Sequence, residues 1–513
     1  MHAQGHCMAA LRGPHPPWPG PTPMLKIQVS HSYFLQYDRK QWERGKPYPP
    51  LATIQVAAFL RQHGHRVTLF DAMLAEGVEA YAEALHATAP TLVVLYEDNF
   101  NFLTKMCLSR MREAACQMIG EAHASGARVI VAGSDASDQP DAFLAAGADV
   151  VLLGEGVAAL AALVERLDRG HAADNLDWTA GLAGVAVRVD GQTQLQRIGI
   201  QPPDARLVGH PAWDLVDIER YRAFWKQRHG YFSLNMAASR GCPFRCNWCA
   251  KPIWGNHYRQ REAADVAAEM SHLKHAFAPD HIWMADDIFG FYVAWVKTFA
   301  GHLREGAGPV PFTIQARADL CSEAMAQALA EAGCVEVWIG AESGSQRVLD
   351  AMTKGTRVAD LTGARERLGR HGIRVGFFVQ LGYLGEELED LLATRELIAR
   401  AAPDDIGVSV SYPLPGTRFY EKVKAQLGRK THWEDSDDLA MMFRGAYDSD
   451  FYRHVRDLLH AQVELQQSAQ LSAEHHQLAR AALDARWNAL IASEQAHRTE
   501  PTRLPITATL SHA

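Results

Sequence analysis

Short apolar runs alternate with helix-patterned stretches along most of this chain, and no other feature narrows its possible folds as far. The first set of runs covers residues 25–30, 66–70, 91–96, 128–132 and 149–153, each rich in Val, Ile or Leu. Stretches 51–63, 78–87, 105–125 and 158–169 carry apolar residues at helical spacing between or after them. Such alternation buries a parallel sheet under helices on both faces. Residues 24–200 are therefore expected to form a doubly wound, Rossmann-like α/β domain. An irregular stretch follows, with a hairpin pattern across 184–196 and a linker at 201–231. The alternation then resumes, with runs at 232–237, 281–284, 311–316, 335–339, 374–379 and 406–410, separated by helical patterns such as 262–275, 323–332 and 388–401. Six βα units are too few to close an eight-stranded barrel. An open, partial (βα)6 barrel of the TIM type is expected at 232–420, then a helical C-terminal region at 421–497. A leader rich in Pro and Gly at 1–23, with Met24 a candidate start, and a polar tail at 498–513 complete the organisation.

Composition removes several function classes. Lys and Arg number 51 against 59 Asp and Glu, for a net charge of -8, so the global basic footprint of a nucleic-acid binder is missing. No apolar stretch approaches the roughly 20 residues of a membrane span, and the leader lacks a secretory apolar core; a cytoplasmic location is expected. Eight cysteines are too few and too unevenly spaced for a disulfide scaffold. Cys7, Cys107, Cys116, Cys321 and Cys334 stand singly and read as small core hydrophobes or, for Cys7, a tail thiol. The other three fall in Ser239-Arg240-Gly241-Cys242-Pro243-Phe244-Arg245-Cys246-Asn247-Trp248-Cys249, on a loop leaving the first barrel strand. Structural zinc wants four ligands, and the nearest extra candidate, His257, lies eight residues on. Most iron–sulfur clusters take four cysteines. Three thiolates spaced four and three residues apart suit a small iron cluster with one iron left open. Zinc and unligated core cysteines remain the alternatives.

This CxxxCxxC triplet, with an aromatic residue before its last cysteine, resembles the signature of the radical S-adenosylmethionine (radical SAM) superfamily. The resemblance implies that Cys242, Cys246 and Cys249 ligate a [4Fe–4S] cluster whose open iron chelates S-adenosylmethionine and cleaves it reductively to a 5′-deoxyadenosyl radical. It places Trp248 beside the adenine; the plainer reading is a buried loop aromatic. After the second barrel strand, Ala285-Asp286-Asp287-Ile288-Phe289 stands where many members carry Gly-Gly-Glu, and resembles the cobalamin-dependent branch. A carboxylate there would accept hydrogen bonds from the methionine ammonium; a helix N-cap is the alternative for either aspartate. Arg317 would serve the cofactor carboxylate or the cluster region, with a surface ion pair as its alternative. Gly340-Ala341-Glu342-Ser343-Gly344 is similar to the family's Gly-x-Glu-Ser-Gly, which puts Glu342 on the ribose hydroxyls. The fifth strand end, Gln380-Leu381-Gly382-Tyr383-Leu384-Gly385-Glu386, departs from the usual Gly-x-Pro-Gly-Glu-Thr, so its residues receive no role. Tyr412-Pro413-Leu414-Pro415-Gly416-Thr417 closes the sixth strand in the branch's form.

From about 25 to 420 the domain order resembles cobalamin-dependent radical SAM enzymes, supported by Tyr48-Pro49-Pro50-Leu51, Gly133-Ser134-Asp135 and Gly154-Glu155-Gly156. By this resemblance Gly133, Ser134, Gly154, Glu155 and Gly156 bind cobalamin. The Asp-x-His-x-x-Gly that supplies a cobalt ligand elsewhere is missing; His31, after the first strand, is a conceivable ligand but more often such a residue is structural. The implied activity is methyl transfer to an unactivated carbon (or phosphorus) of a small metabolite or lipid, through a 5′-deoxyadenosyl radical and methylcobalamin. Cyclisation or rearrangement with the same cofactors is the alternative. A non-catalytic sensor leaves the three thiolates unexplained. Expected partners are a small-molecule substrate and an electron donor such as flavodoxin or ferredoxin. Trp433, Asp437, Asp438 and Phe443 are candidate linings of the substrate pocket, and no catalytic residue is singled out.

Overall fold

The computed structural model describes residues 24–169, 176–199, 201–204, 207, 210–249, 253–254, 256–468 and 472–499. The leader at 1–23 and nearly all of the polar tail lie outside the described residues. The first sheet contains β1 (Lys26–Ser30), β2 (Arg66–Phe70), β3 (Leu92–Tyr96), β4 (Arg128–Ala132), β5 (Val150–Leu152), β6 (Val185–Val189) and β7 (Gln192–Gln196), in the order β2-β1-β3-β4-β5-β6-β7. β1 to β5 are parallel, and every residue of β3 is buried, as helices on both faces require. The 184–196 hairpin does form. It joins the sheet antiparallel to β5 and extends it from the expected five strands to seven. The sheet direction switches between β1 and β3, whose carboxyl ends flank the crevice where ligands of such sheets bind.

The single helix expected at 105–125 is instead two, Phe102–Lys105 and Ser109–Ala124. Between them Cys107 is buried with φ 54°, a left-handed conformation that ends a right-handed helix. The apolar spacing continues across the break, which hides it from the sequence.

The second sheet contains β8 (Ser233–Met236), β11 (His281–Met284), β12 (Phe312–Ala316), β13 (Cys334–Glu342), β14 (Arg374–Leu381) and β15 (Asp405–Val410), all parallel, in the order β15-β14-β13-β12-β11-β8. It is the open six-stranded barrel expected. Between β8 and β11, the short strands β9 (Ser239–Gly241) and β10 (Tyr258–Gln260) pair antiparallel at either side of the cysteine loop. At three residues each they are too short to show a period. A Cβ on Gly241, at φ +75°, would lie 2.3 Å from the His257 carbonyl oxygen, so only glycine fits there.

The amino-terminal end of the barrel is filled. Ser233, His281, Thr313 and Glu336 form one hydrogen-bonded chain across four strands. Above them Trp338 lies over Gly376 and stacks on Phe378, with ring centroids 4.8 Å apart. Ligand space is thereby confined to the carboxyl ends of the strands.

The barrel sheet shares one continuous apolar core with the C-terminal helices Ser449–Gln467 and Ala473–Ala492 and with first-domain residues such as Leu51, Ile54 and Met106, whereas the first sheet is packed by two cores of its own. Segment 47–51 ties the first domain to the barrel: Trp225 Nε1 donates to the Pro47 carbonyl, Asn235 Nδ2 to that of Pro49, and Tyr48 meets Ser233. Among the described residues no helix is long and apolar enough to cross a membrane.

Candidate functional site

Cys242, Cys246 and Cys249 lie half-buried on the loop that leaves β9. Asn247 holds that loop from within. Its backbone N–H donates to the Met352 carbonyl (3.0 Å), its Nδ2 to that of Ala351 (2.7 Å), its Oδ1 accepts from Tyr383 (2.9 Å) and its carbonyl from the Phe419 N–H (2.9 Å). Three later segments of the barrel therefore set the loop's shape. Among the described residues no three His, Cys, Asp or Glu side chains gather around a point that would hold a single metal ion, and His257 is exposed. Trp248 packs on Val348, Met352, Tyr383, Phe419 and Phe443, and its buried Nε1 has no hydrogen-bond partner, a donor left for a ligand.

Arg317 is buried beside the loop and is no surface pair. Its guanidinium lies 3.7 Å from the Phe244 ring centroid. It is paired with Asp319, donates to the Lys354 carbonyl (2.8 Å), and has Nη1 3.8 Å from the Cys246 sulfur. Glu342, at the end of β13, sits at φ 59° with its carboxylate 2.7 Å from the buried Lys354 ammonium. Asp286 is completely buried and accepts from the Ala238 N–H and Ser239 Oγ. Burial pushes its pKa up to about 7 against the pull of those bonds. Asp287 pairs with Lys105 of the first domain at 2.6 Å. Neither aspartate is an N-cap, because the next helix, Val293–Glu305, starts after Tyr292. Asn247, Lys105 and Lys354 went unnoticed in the sequence; only Asn247, polar and flanked by two of the cysteines, left a local signal.

Facing this site are the strand ends of the first domain. Glu155 is buried, with Arg240 at 2.5 Å and the Asp204 N–H at 2.6 Å on its carboxylate; its contacts run to the strand that feeds the cysteine loop. A Cβ on Gly133 would meet the Glu97 side chain at 2.8 Å, and one on Gly156, at φ +67°, would meet Leu152 at 2.5 Å. Packing alone thus accounts for glycine at these two positions, whereas Gly154 faces only the Ile253 carbonyl, at 3.7 Å. Ser134 opens the short helix Ser134–Asp138, whose Asp135 is paired with Arg112. At the switch point, Glu97 accepts from Ser32, Asp98 accepts from the Ala52 N–H, and the buried Asn99 Oδ1 has no partner. This crevice with an unpartnered acceptor fits a large polar cofactor. His31 is buried beside it, with Nε2 2.9 Å from Asp71 and Nδ1 near the Tyr33 N–H. Burial opposes its protonation, but the Asp71 bond and the charges of Asp71, Glu97 and Asp98 outweigh this and raise its pKa. Both ring nitrogens are therefore engaged with protein.

Of the candidate linings, Trp433 packs edge-on against Tyr412 and Phe443 against Phe419. Asp437 and Asp438 pair outward with Arg456 and Lys430. The fifth strand end holds a carboxyl that sequence could not interpret. Glu386 is fully buried, accepts from the Gly382 N–H through Oε2, and leaves Oε1 without a partner. Burial pushes its pKa up to about 8. A carboxyl that binds its proton more tightly when folded favours folding at low pH, and that favour is lost as pH rises through the folded value. Relative to Glu386→Gln, the parent should therefore lose stability from about pH 4.5 to about pH 8, by up to about 1.4 kcal/mol per pH unit, and level off above that. Urea midpoints across that range test this; parallel pH profiles for the two proteins would refute it.

Residues 236–398 match the model of the radical SAM superfamily, and residues 43–164 that of the B12 binding domain. An uncharacterized methyltransferase of Pyrococcus horikoshii is 26% identical over 279 residues, which is 53% of this chain and 57% of that protein. The anaerobic magnesium-protoporphyrin IX monomethyl ester cyclase of Rubrivivax gelatinosus is 23% identical over 54% of this chain and 49% of its own. The chain spans about half the length of the curated relatives it matches. In fold it is similar to the cobalamin-dependent S-adenosylmethionine radical enzyme OxsB (TM-score 0.67, 14% identity, 92% of this chain and 71% of that one). It is also similar to the radical S-adenosylmethionine methyltransferase TsrM of Kitasatospora setae (TM-score 0.63, 19% identity, 78% of each chain). The chain thus joins a B12-binding domain to a radical SAM half-barrel, with a cysteine loop at the strand ends between them, and in fold it is similar to cobalamin-dependent radical S-adenosylmethionine enzymes.

Proposed function

We propose that this enzyme transfers a methyl group to an unactivated carbon, or to phosphorus, of a small metabolite or lipid. The observation that carries the reading is the meeting of the two sets of strand ends. Arg240–Glu155, a buried ion pair, and Lys105–Asp287, a half-buried one, join them, which sets the two candidate cofactor sites side by side, the proximity such a transfer needs. When bound, the [4Fe–4S] cluster with S-adenosylmethionine supplies a radical and cobalamin supplies the methyl group. In this reading Cys242, Cys246 and Cys249 hold the cluster, and Asp286 and Asp287 receive the methionine ammonium side. Arg317 steadies the cluster loop, Trp248 borders the adenine, and Glu342 accepts from the ribose. Gly133, Ser134, Gly154, Glu155 and Gly156 bound the cobalamin face, with Glu155 acting through Arg240, and no histidine reaches the cobalt. The domain limits 24–200, 232–420 and 421–497, a cytoplasmic location and a flavodoxin- or ferredoxin-like electron donor belong to the same proposal. A second reading, ring formation with the same cofactors, is favoured by the cyclase relative alone.

Cells supplied with trideuteromethyl methionine, with and without the gene, test the proposal. A metabolite that carries the labelled methyl only when the gene is present is the expected result. A gene-dependent product with no labelled methyl would overturn methyl transfer and favour cyclisation.

A further inference from the structure

We propose that Lys354 is a positioning residue of the S-adenosylmethionine site: its ammonium holds the Glu342 carboxylate so that one oxygen faces the ribose diol. The inference rests on the reading of Glu342 given above. Glu342 follows a register shift between β13 and β14 and takes a left-handed backbone, which turns its side chain away from the regular strand path. Lys354 Nζ meets Oε1 at 2.7 Å, and both side chains are buried. Among the described residues Oε2 has no protein partner. A Cβ on Gly340 would lie 2.7 Å from both Oε1 and Nζ, so a side chain at position 340 would press directly on the pair. Lys354 is itself anchored through its carbonyl, which accepts from Arg317, whose guanidinium lies against Phe244 and near Cys246. One chain of contacts therefore runs from the cysteine loop to the carboxylate, linking the two ends of the cofactor's site. A buried ion pair contributes little net stability compared with apolar packing; here it orients an acceptor.

Calorimetric binding of S-adenosylhomocysteine and its 2′-deoxy and 3′-deoxy analogues to the reconstituted protein tests this. The parent should prefer the natural compound over one of the analogues by about tenfold or more, as a hydrogen bond to a charged acceptor predicts. In Lys354→Gln that preference should disappear, and affinity for the natural compound should fall by about tenfold. The double variant Lys354→Gln/Glu342→Gln removes both charges and keeps the test open if the single variant does not fold. It should bind no more weakly than Glu342→Gln alone, because the two residues act as one unit. Full discrimination retained in Lys354→Gln, or additive losses in the double variant, would overturn the proposal. A parent that binds S-adenosylhomocysteine without sensing either hydroxyl refutes the role of Glu342 as well. A parent with an intact cluster that binds none of the compounds refutes the assignment of this site to S-adenosylmethionine.

Discussion

Protein in which Cys242, Cys246 and Cys249 are all replaced by alanine should take up no iron–sulfur cluster and should cleave no S-adenosylmethionine. The thiols share one loop whose course is set by Asn247 and its hydrogen bonds to Met352, Ala351, Thr353, Tyr383 and Phe419. Removing three half-buried sulfurs leaves those bonds in place. The substitution therefore deletes ligands without deleting the scaffold, and the thermal transition of the metal-free protein should move little. Iron and acid-labile sulfide analysis after anaerobic reconstitution, with the broad visible thiolate-to-iron absorption, gives the readout. Full iron retention in the triple variant would place the cluster elsewhere. A parent preparation with one zinc and no iron would restore the mononuclear reading.

The second large effect is on stability. Arg240→Met should cost about 3–5 kcal/mol, since breaking a buried pair leaves a charge without a counter-charge. Both members are more than nine-tenths buried, and Arg240 also donates to Gln55 and the Leu207 carbonyl, so three acceptors lose their donor together. The cost should shrink as pH falls. Burial already raises the Glu155 pKa against the pull of Arg240; without the guanidinium it rises further, and a protonated Glu155 needs no counter-charge. Glu155→Gln combined with Arg240→Met should be cheaper than Arg240→Met alone, the two residues being directly coupled. Urea denaturation at neutral and mildly acidic pH measures all three. A loss below about 1 kcal/mol would put this pair with ordinary surface pairs and remove it as a joint between the domains.

How far a feature can be read from sequence follows the distance over which it is encoded. The strands and most helices were legible because burial imposes a period on neighbouring residues, 2.0 for strands and 3.6 for helices. The reading failed where that period carried through a break, as at Cys107, and where strands were too short to show one, as for β9 and β10. The cysteine triplet was legible for a related reason: three thiols on one short loop must be close in sequence. The glycines at 133 and 156 illustrate the opposite case. A glycine signals that something comes close, yet the neighbour here is Glu97 or Leu152, and only coordinates tell a side chain from a ligand.

The sequence by itself determined the order of the two sheets, the open barrel and the cysteine loop, because periodicity and ligand spacing are local properties of the chain. The tertiary structure alone decided which charges face each other: Arg240 meets Glu155 from 85 residues away, and Lys105 meets Asp287 from 182. An ion pair depends on distance through space, and no pattern in the neighbouring residues encodes it. The same holds for Lys354, an ordinary lysine in the sequence, which gains its meaning from Glu342 at 2.7 Å and from the missing side chain at Gly340.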